Sequence, residues 1–143
     1  MRHLILLALF GVFFVCVGCG NPKVTGTVKF SDGTPLIRGT VNFQTSNHAA
    51  MGAVDKDGKF TIGGERAGDG VPPGTYQVFI TGAMGFDTSK ARTLEFGGGP
   101  GTTVPIIPLI DKKYERPETS GLTCEVKGST VYDITVMKPG EKQ

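Results

Sequence analysis

Two patterns of apolar and polar positions divide the chain. From Leu4 to Val17 the residues are continuously apolar. From Lys23 onward the pattern has period two, the signature of a half-buried strand. Val24, Gly26, Val28 and Phe30 fall on one face, and Thr25, Thr27 and Lys29 on the other. Asp32-Gly33 predicts a turn, and Val41 and Phe43 then point inward with Asn42 and Gln44 outward. Ala49 to Val54 reads as a third strand and Lys59 to Ile62 as a fourth, with Asp55-Lys56-Asp57-Gly58 as the hairpin turn between them. Tyr76, Val78 and Ile80 share one face of a fifth. Its start is set by Pro72-Pro73-Gly74, where two prolines fix φ. The Tyr76 ring is expected to pack inward while its hydroxyl reaches backbone.

The segment from Gly82 to Thr103 is harder to assign. Leu94 and Phe96 suit a short strand, and Gly97-Gly98-Gly99-Pro100-Gly101 reads as a flexible break. Pro105 and Pro108 confine Val104–Ile110 to an edge or an extended connection. Asp111 to Ser120 is polar and turn-like. A final hairpin is predicted, with Leu122, Cys124 and Val126 on one arm and Tyr132, Ile134 and Val136 on the other. Lys138 to Gln143 is a polar tail, expected to fray. Seven strands at short spacing and no amphipathic helix predict an all-β fold, a sandwich of immunoglobulin-like architecture.

The apolar start has one positive charge at Arg2 and ends in small residues, as a secretory signal does. At about fifteen residues it is shorter than the roughly 18–20 needed for a permanent transmembrane helix. Cys16-Val17-Gly18-Cys19 resembles the bacterial lipobox, whose final cysteine is acylated after cleavage. That motif usually carries Leu where Cys16 stands, and an ordinary signal peptide cut after Gly20 is the alternative. The lipobox reading makes 1–18 a signal peptide and Cys19 the lipidation site. Residues 19–22 are then an anchor and linker, 23–137 the sandwich and 138–143 the tail.

About 124 residues follow Cys19, which suits one domain. Because Arg2 leaves with the signal, 14 of the 15 Lys and Arg face 13 Asp and Glu. A near-neutral, scattered charge gives no footprint for nucleic acid. Cys124 is left without an internal disulfide partner and sits at core spacing between Leu122 and Val126. Asp55 and Asp57 before Gly58 suggest a calcium loop, but the twelfth position from Asp55 is Arg66 where an EF-hand needs Glu. Gly97–Gly101 lacks the Lys-Ser/Thr of a phosphate loop. Glu115 and Glu118 flank Arg116-Pro117 in a surface turn, a poor setting for paired catalytic acids. Ser120 has no activating partner in sequence, and His48 is the one histidine beyond the signal. No cofactor and no metal site are expected.

Thr25-Gly26-Thr27-Val28, Gly33-Thr34-Pro35-Leu36, Gly39-Thr40-Val41-Asn42-Phe43, Asp57-Gly58-Lys59-Phe60 and Pro73-Gly74-Thr75-Tyr76-Gln77-Val78 follow one another in order. This series resembles the carboxypeptidase regulatory-like domain, a seven-stranded transthyretin-like (prealbumin-like) sandwich. Pro108 through Thr123 resembles the end of small bacterial envelope lipoproteins that carry such a domain alone. The resemblance implies an accessory module without catalysis, lipid-anchored and in contact with envelope proteins or cell-wall material. The related enzyme branch, which hydrolyses 5-hydroxyisourate, ends in Tyr-Arg-Gly-Ser and uses histidines, whereas this chain ends Pro139-Gly140-Glu141-Lys142-Gln143.

Two loops, 63–70 and 82–103, are long enough to carry contacts. An alternative is a carbohydrate- or small-ligand-binding module. In a chain without Trp its aromatic platforms are Phe79, Phe86 or Tyr114, and Phe86 and Tyr114 are the candidate contact residues.

Overall fold

A computed structural model of the chain describes residues 20–64, 66, 68–96 and 99–141. The apolar start and Cys19 lie outside the described residues, as do Gly97 and Gly98. The fold is all-β. Twelve strand segments are present among the described residues. One sheet has β1 (Val24–Phe30) at its centre, antiparallel to β4 (Lys59–Ile62) on one side. On the other side β1 runs parallel to β11 (Thr130–Val131) and β12 (Ile134–Val136). The second sheet is antiparallel, in the order β10 (Leu122–Val126), β5 (Gly74–Thr81), β2 (Thr40–Gln44), β3 (Ala49–Ala53).

The inner faces of both sheets supply one core. Val24, Val28, Phe60, Ile62, Ile134 and Val136 come from the first sheet, and Val41, Phe43, Tyr76, Val78, Ile80, Cys124 and Val126 from the second. Phe43 lies at its centre, 5.8 Å from the Tyr76 ring and edge-on to Tyr132 at 6.1 Å. The residues that the period-two alternation turns inward at Val24–Phe30, Val41–Phe43, Tyr76–Ile80, Leu122–Val126 and Tyr132–Val136 are buried or half-buried. Tyr76 behaves as its setting implies: the ring is buried and the hydroxyl donates to the Pro72 carbonyl at 2.8 Å.

One predicted hairpin is corrected. Asp55–Gly58 does turn β3 back along β4: Asp55 N–H donates to the Lys59 carbonyl at 2.9 Å, and Met51 and Gly63 exchange backbone bonds at 3.0 and 3.1 Å, although the two strands belong to different sheets. Gly128-Ser129 instead lies between β10 in one sheet and β11 in the other. This connection is an arch. A hairpin and an arch present the same inward alternation, so the pattern does not separate them.

Twelve segments replace the expected seven for two reasons. The last core strand is broken at Tyr132-Asp133, and the region after Thr81 holds strands of its own. There β6 (Met84–Phe86) pairs with β9 (Ile106–Pro108), and β7 (Arg92–Phe96) pairs with β8 (Gly99–Thr103). A 3-10 turn at Thr88–Lys90, capped by Asp87, separates β6 from β7. The predicted flexible break is thus partly strand, since Gly99, Pro100 and Gly101 pair with Phe96, Glu95 and Leu94. Leu109 N–H donates to the Ala83 carbonyl at 2.9 Å and closes the base of this protrusion. Asp111–Ser120 contains a 3-10 turn (Lys112–Glu115) and one helical turn, α1 (Pro117–Ser120), ended by Gly121 in the left-handed region.

The tail is also corrected over Lys138–Glu141, Lys142 and Gln143 lying outside the described residues. Glu141 accepts from the Ser31 hydroxyl and from Lys138 N–H, and Lys138 Nζ pairs with Asp32 at 2.6 Å. These bonds hold Lys138–Glu141 against the turn after β1.

Candidate functional site

Of the carboxylates singled out by sequence, Asp55 serves the backbone and Asp57 pairs with Lys56 at 3.2 Å. Asp55 Oδ1 accepts from Asp57 N–H at 2.8 Å and Lys59 N–H at 2.9 Å, which closes the turn around Gly58. The Lys59 amide bond holds its carboxyl below the usual carboxylate range. Asp32 caps Thr34 and pairs with Lys138; the Lys138 bond is the chief cause of its lowered pKa. Asp69 accepts from Gly64 and Arg66 amides and so ties the 63–70 loop into a compact turn. Asp87 and Asp111 cap the two 3-10 turns. Among the described residues, no three His, Cys, Asp or Glu side chains converge as metal ligands.

Cys124 is buried, and burial pushes its thiol pKa up, which opposes the thiolate a nucleophile needs. His48 is exposed in a turn where the Thr45 hydroxyl accepts from its backbone N–H. Ser120 is buried; its hydroxyl donates to the Val78 carbonyl and accepts from Leu122 N–H at 3.2 Å. Its role is to splice the helical turn onto β5 and β10. In sequence it stands only as a serine without an activating partner.

The two aromatic contact candidates part company. Tyr114 is 5% exposed and belongs to the core, so it offers no surface platform. Its polar surroundings in sequence conceal an inward anchor. Phe79 is half-buried. Phe86 is 57% exposed, at the base of the protrusion. It faces Ile106 across the β6–β9 pair, with Met84 on the same face, and Arg38 lies over its ring at 5.6 Å. Ile37, Arg38, Met84, Gly85, Phe86 and Leu109 line a shallow hollow there. Gly85 lets Leu109 lie close, since a Cβ would stand 2.6 Å from a Leu109 methyl and would displace that side chain. Ile37 at 61% and Ile106 at 66% exposed extend the apolar surface. Neither isoleucine stands out in the sequence, since each lies in an extended segment that alternation does not assign to a face.

The opposite end of the sandwich carries the start of the chain. The Pro22 carbonyl accepts from Val71 N–H at 3.0 Å and the Lys23 carbonyl from Thr130 N–H at 2.8 Å. Gly70 lets this segment lie close, since a Cβ there would meet the Pro22 carbonyl at 2.5 Å. Among the described residues, no helix is long and apolar enough to cross a membrane.

Comparison with protein-family models gave no match, and comparison with curated proteins gave none. Among solved structures, a 9R-lipoxygenase from Cyanothece PCC8801 aligns with 82% of this chain at 17% identity and a TM-score of 0.32. The chain spans 16% of the length of that protein.

Proposed function

We propose that this chain is a non-catalytic lipoprotein of the bacterial cell envelope. Cys19 is acylated and anchors it, and a seven-stranded, transthyretin-like sandwich of the carboxypeptidase regulatory-like kind contacts other envelope proteins or wall material. The observation that carries the reading is Val17-Gly18-Cys19 set directly before a self-contained domain whose first strand begins at Val24. The carboxylates add support, because Asp32, Asp55, Asp69, Asp87 and Asp111 each hold backbone amides in turns, as structural groups do. The contact surface is the apolar face formed by Ile37, Met84, Phe86 and Ile106. Exposed apolar groups gathered in one place mark an interaction surface more than scattered ones do.

Intact mass of the membrane-extracted protein tests the anchor. A chain beginning at Cys19 with added acyl mass, lost in Cys19→Ala, is expected; an unmodified chain in the soluble fraction overturns it. A photo-cross-linker at position 86 is then expected to capture a discrete protein adduct in cells that the same group at Lys56 does not. Binding to a glycan array that is lost in Phe86→Ala, with no such adduct, would instead select the carbohydrate-binding reading.

A further inference from the structure

We infer that the connection from Cys19 to the first strand is too short and too firmly held for the sandwich to tumble on its anchor. The end bearing Asn21, Pro22 and Lys23 faces the lipid headgroups, and the Phe86 face is carried on the side away from the bilayer. This inference rests on the acylation of Cys19 proposed above.

The argument is one of lengths. Pro22 and Lys23 are bonded to Val71 and Thr130, and the backbone of Asn21 and Pro22 lies against the α-carbon of Gly70. Only Gly20 and Asn21 separate Cys19 from the first bonded group, a slack of about 10 Å at full extension. Strand β1 carries the chain about 20 Å from Val24 to Phe30. The slack is therefore about half the length of the domain along that strand, and an inverted domain could not keep its anchor in the membrane.

The strand register then assigns every turn to an end. Ile62 pairs with Val24, Gln44 with Gln77, and Val126 with Gly74. The turns beyond them, at Ser46–His48, Gly64–Asp69 and Lys127–Ser129, lie on the anchored side. They are polar, and the surroundings include the exposed cations Lys23, Arg66 and Lys127 beside two carboxylates, Glu125 paired to Lys127 at 3.0 Å and Asp69 bonded to the Gly64 and Arg66 amides. A polar surface suits the headgroup layer, and cations there gain from anionic lipid. At the other end Thr40 pairs with Thr81 and Phe30 with Val136. The Asp55–Gly58 turn and the whole protrusion leave from that side. Of the exposed apolar residues, Ile37, Met84, Phe86, Ile106 and Ile107 belong to it, whereas Val131, beside Thr25, and Met51, bridged to Gly63, lie toward the anchored end.

The test places one fluorescent label at each end of the acylated full-length protein. Lys127→Cys and Lys56→Cys are matched sites, since both lysine side chains are exposed and Cys124 is buried. The protein is reconstituted in vesicles of phosphatidylethanolamine and phosphatidylglycerol whose headgroups carry an acceptor dye. Energy transfer is expected to place the position-56 label about 20 Å farther from the membrane plane than the position-127 label. A long Gly/Ser insertion after Gly20 is expected to erase that difference. Equal distances with the native connection, or a nearer label at position 56, overturn the inference while leaving the anchor intact. Intact mass of the same sample separates the two ideas, because an unacylated chain overturns both.

Discussion

Tyr76 and Ser120 each join a buried polar side-chain atom to backbone. Tyr76→Phe keeps the ring against Phe43 and removes only the bond to the Pro72 carbonyl. A loss of about 1 kcal/mol in urea unfolding is expected, the usual net worth of one such bond. Ser120→Ala removes the buried bond to the Val78 carbonyl and leaves the half-buried Leu122 amide without that acceptor. The cost expected is about 2 kcal/mol, since an orphaned buried group forfeits its desolvation as well. Equal losses in the two variants would show that water reaches the Ser120 site. Tyr76 is legible in the sequence because two prolines and a glycine precede it and fix the strand start. Ser120 and Tyr114 are not. Each stands in a polar segment whose inward positions are set by short helical turns, and alternation says nothing about those.

At the scale of elements, the strands are legible and their partners are not. Period two reports which side of a strand is dry, whichever sheet the strand joins, so the Gly128-Ser129 arch reads as a hairpin. The break in the last strand is hidden for a related reason. At Tyr132-Asp133 the chain leaves the parallel ladder, and the Tyr132 carbonyl comes so close to Gly26 that a Cβ there would stand 1.9 Å away. Asp133 Oδ1 then accepts from Thr27 N–H at 2.9 Å and from the Thr27 hydroxyl at 2.7 Å, replacing the missing ladder carbonyl. The Thr27 hydroxyl, and secondarily its amide, hold the Asp133 carboxyl below its ordinary value. A carboxyl with a depressed folded pKa stabilises fully above the unfolded value of about 3.9 and loses that contribution as pH falls through the folded one. Asp133→Asn is therefore expected to be less stable than the parent at pH 7. The difference in urea midpoints should shrink below about pH 4. A gap that stays constant with pH would mean that the bonds, and not the charge, carry the effect.

In the whole molecule, a core sandwich carries a protrusion whose segments β6 and β9 add little to the core. Among the side chains described, the buried hydrophobic residues run through Ala83 and resume at Ile110, and the segments β6 and β9 between them present exposed side chains. Ala83 and Leu109 already meet through a backbone bond, so the ends that a deletion must rejoin are neighbours. This region is opaque in sequence because glycine and proline dominate it, and its pairing is with itself. Replacing residues 84–108 by a short Gly-rich turn is expected to leave cooperative unfolding and a midpoint within about 4 °C of the parent, the shift of roughly 1 kcal/mol in a domain of this size. Thermal melting followed by circular dichroism measures it. Loss of cooperativity would show instead that the protrusion braces Leu109 and the hollow beneath Gly85. With stability preserved, the same deletion removes Met84, Phe86 and Ile106 together. Any partner that cross-links at position 86 in the parent must then fail to co-purify with the folded deletion variant, so that removal of the binding surface is distinguished from unfolding.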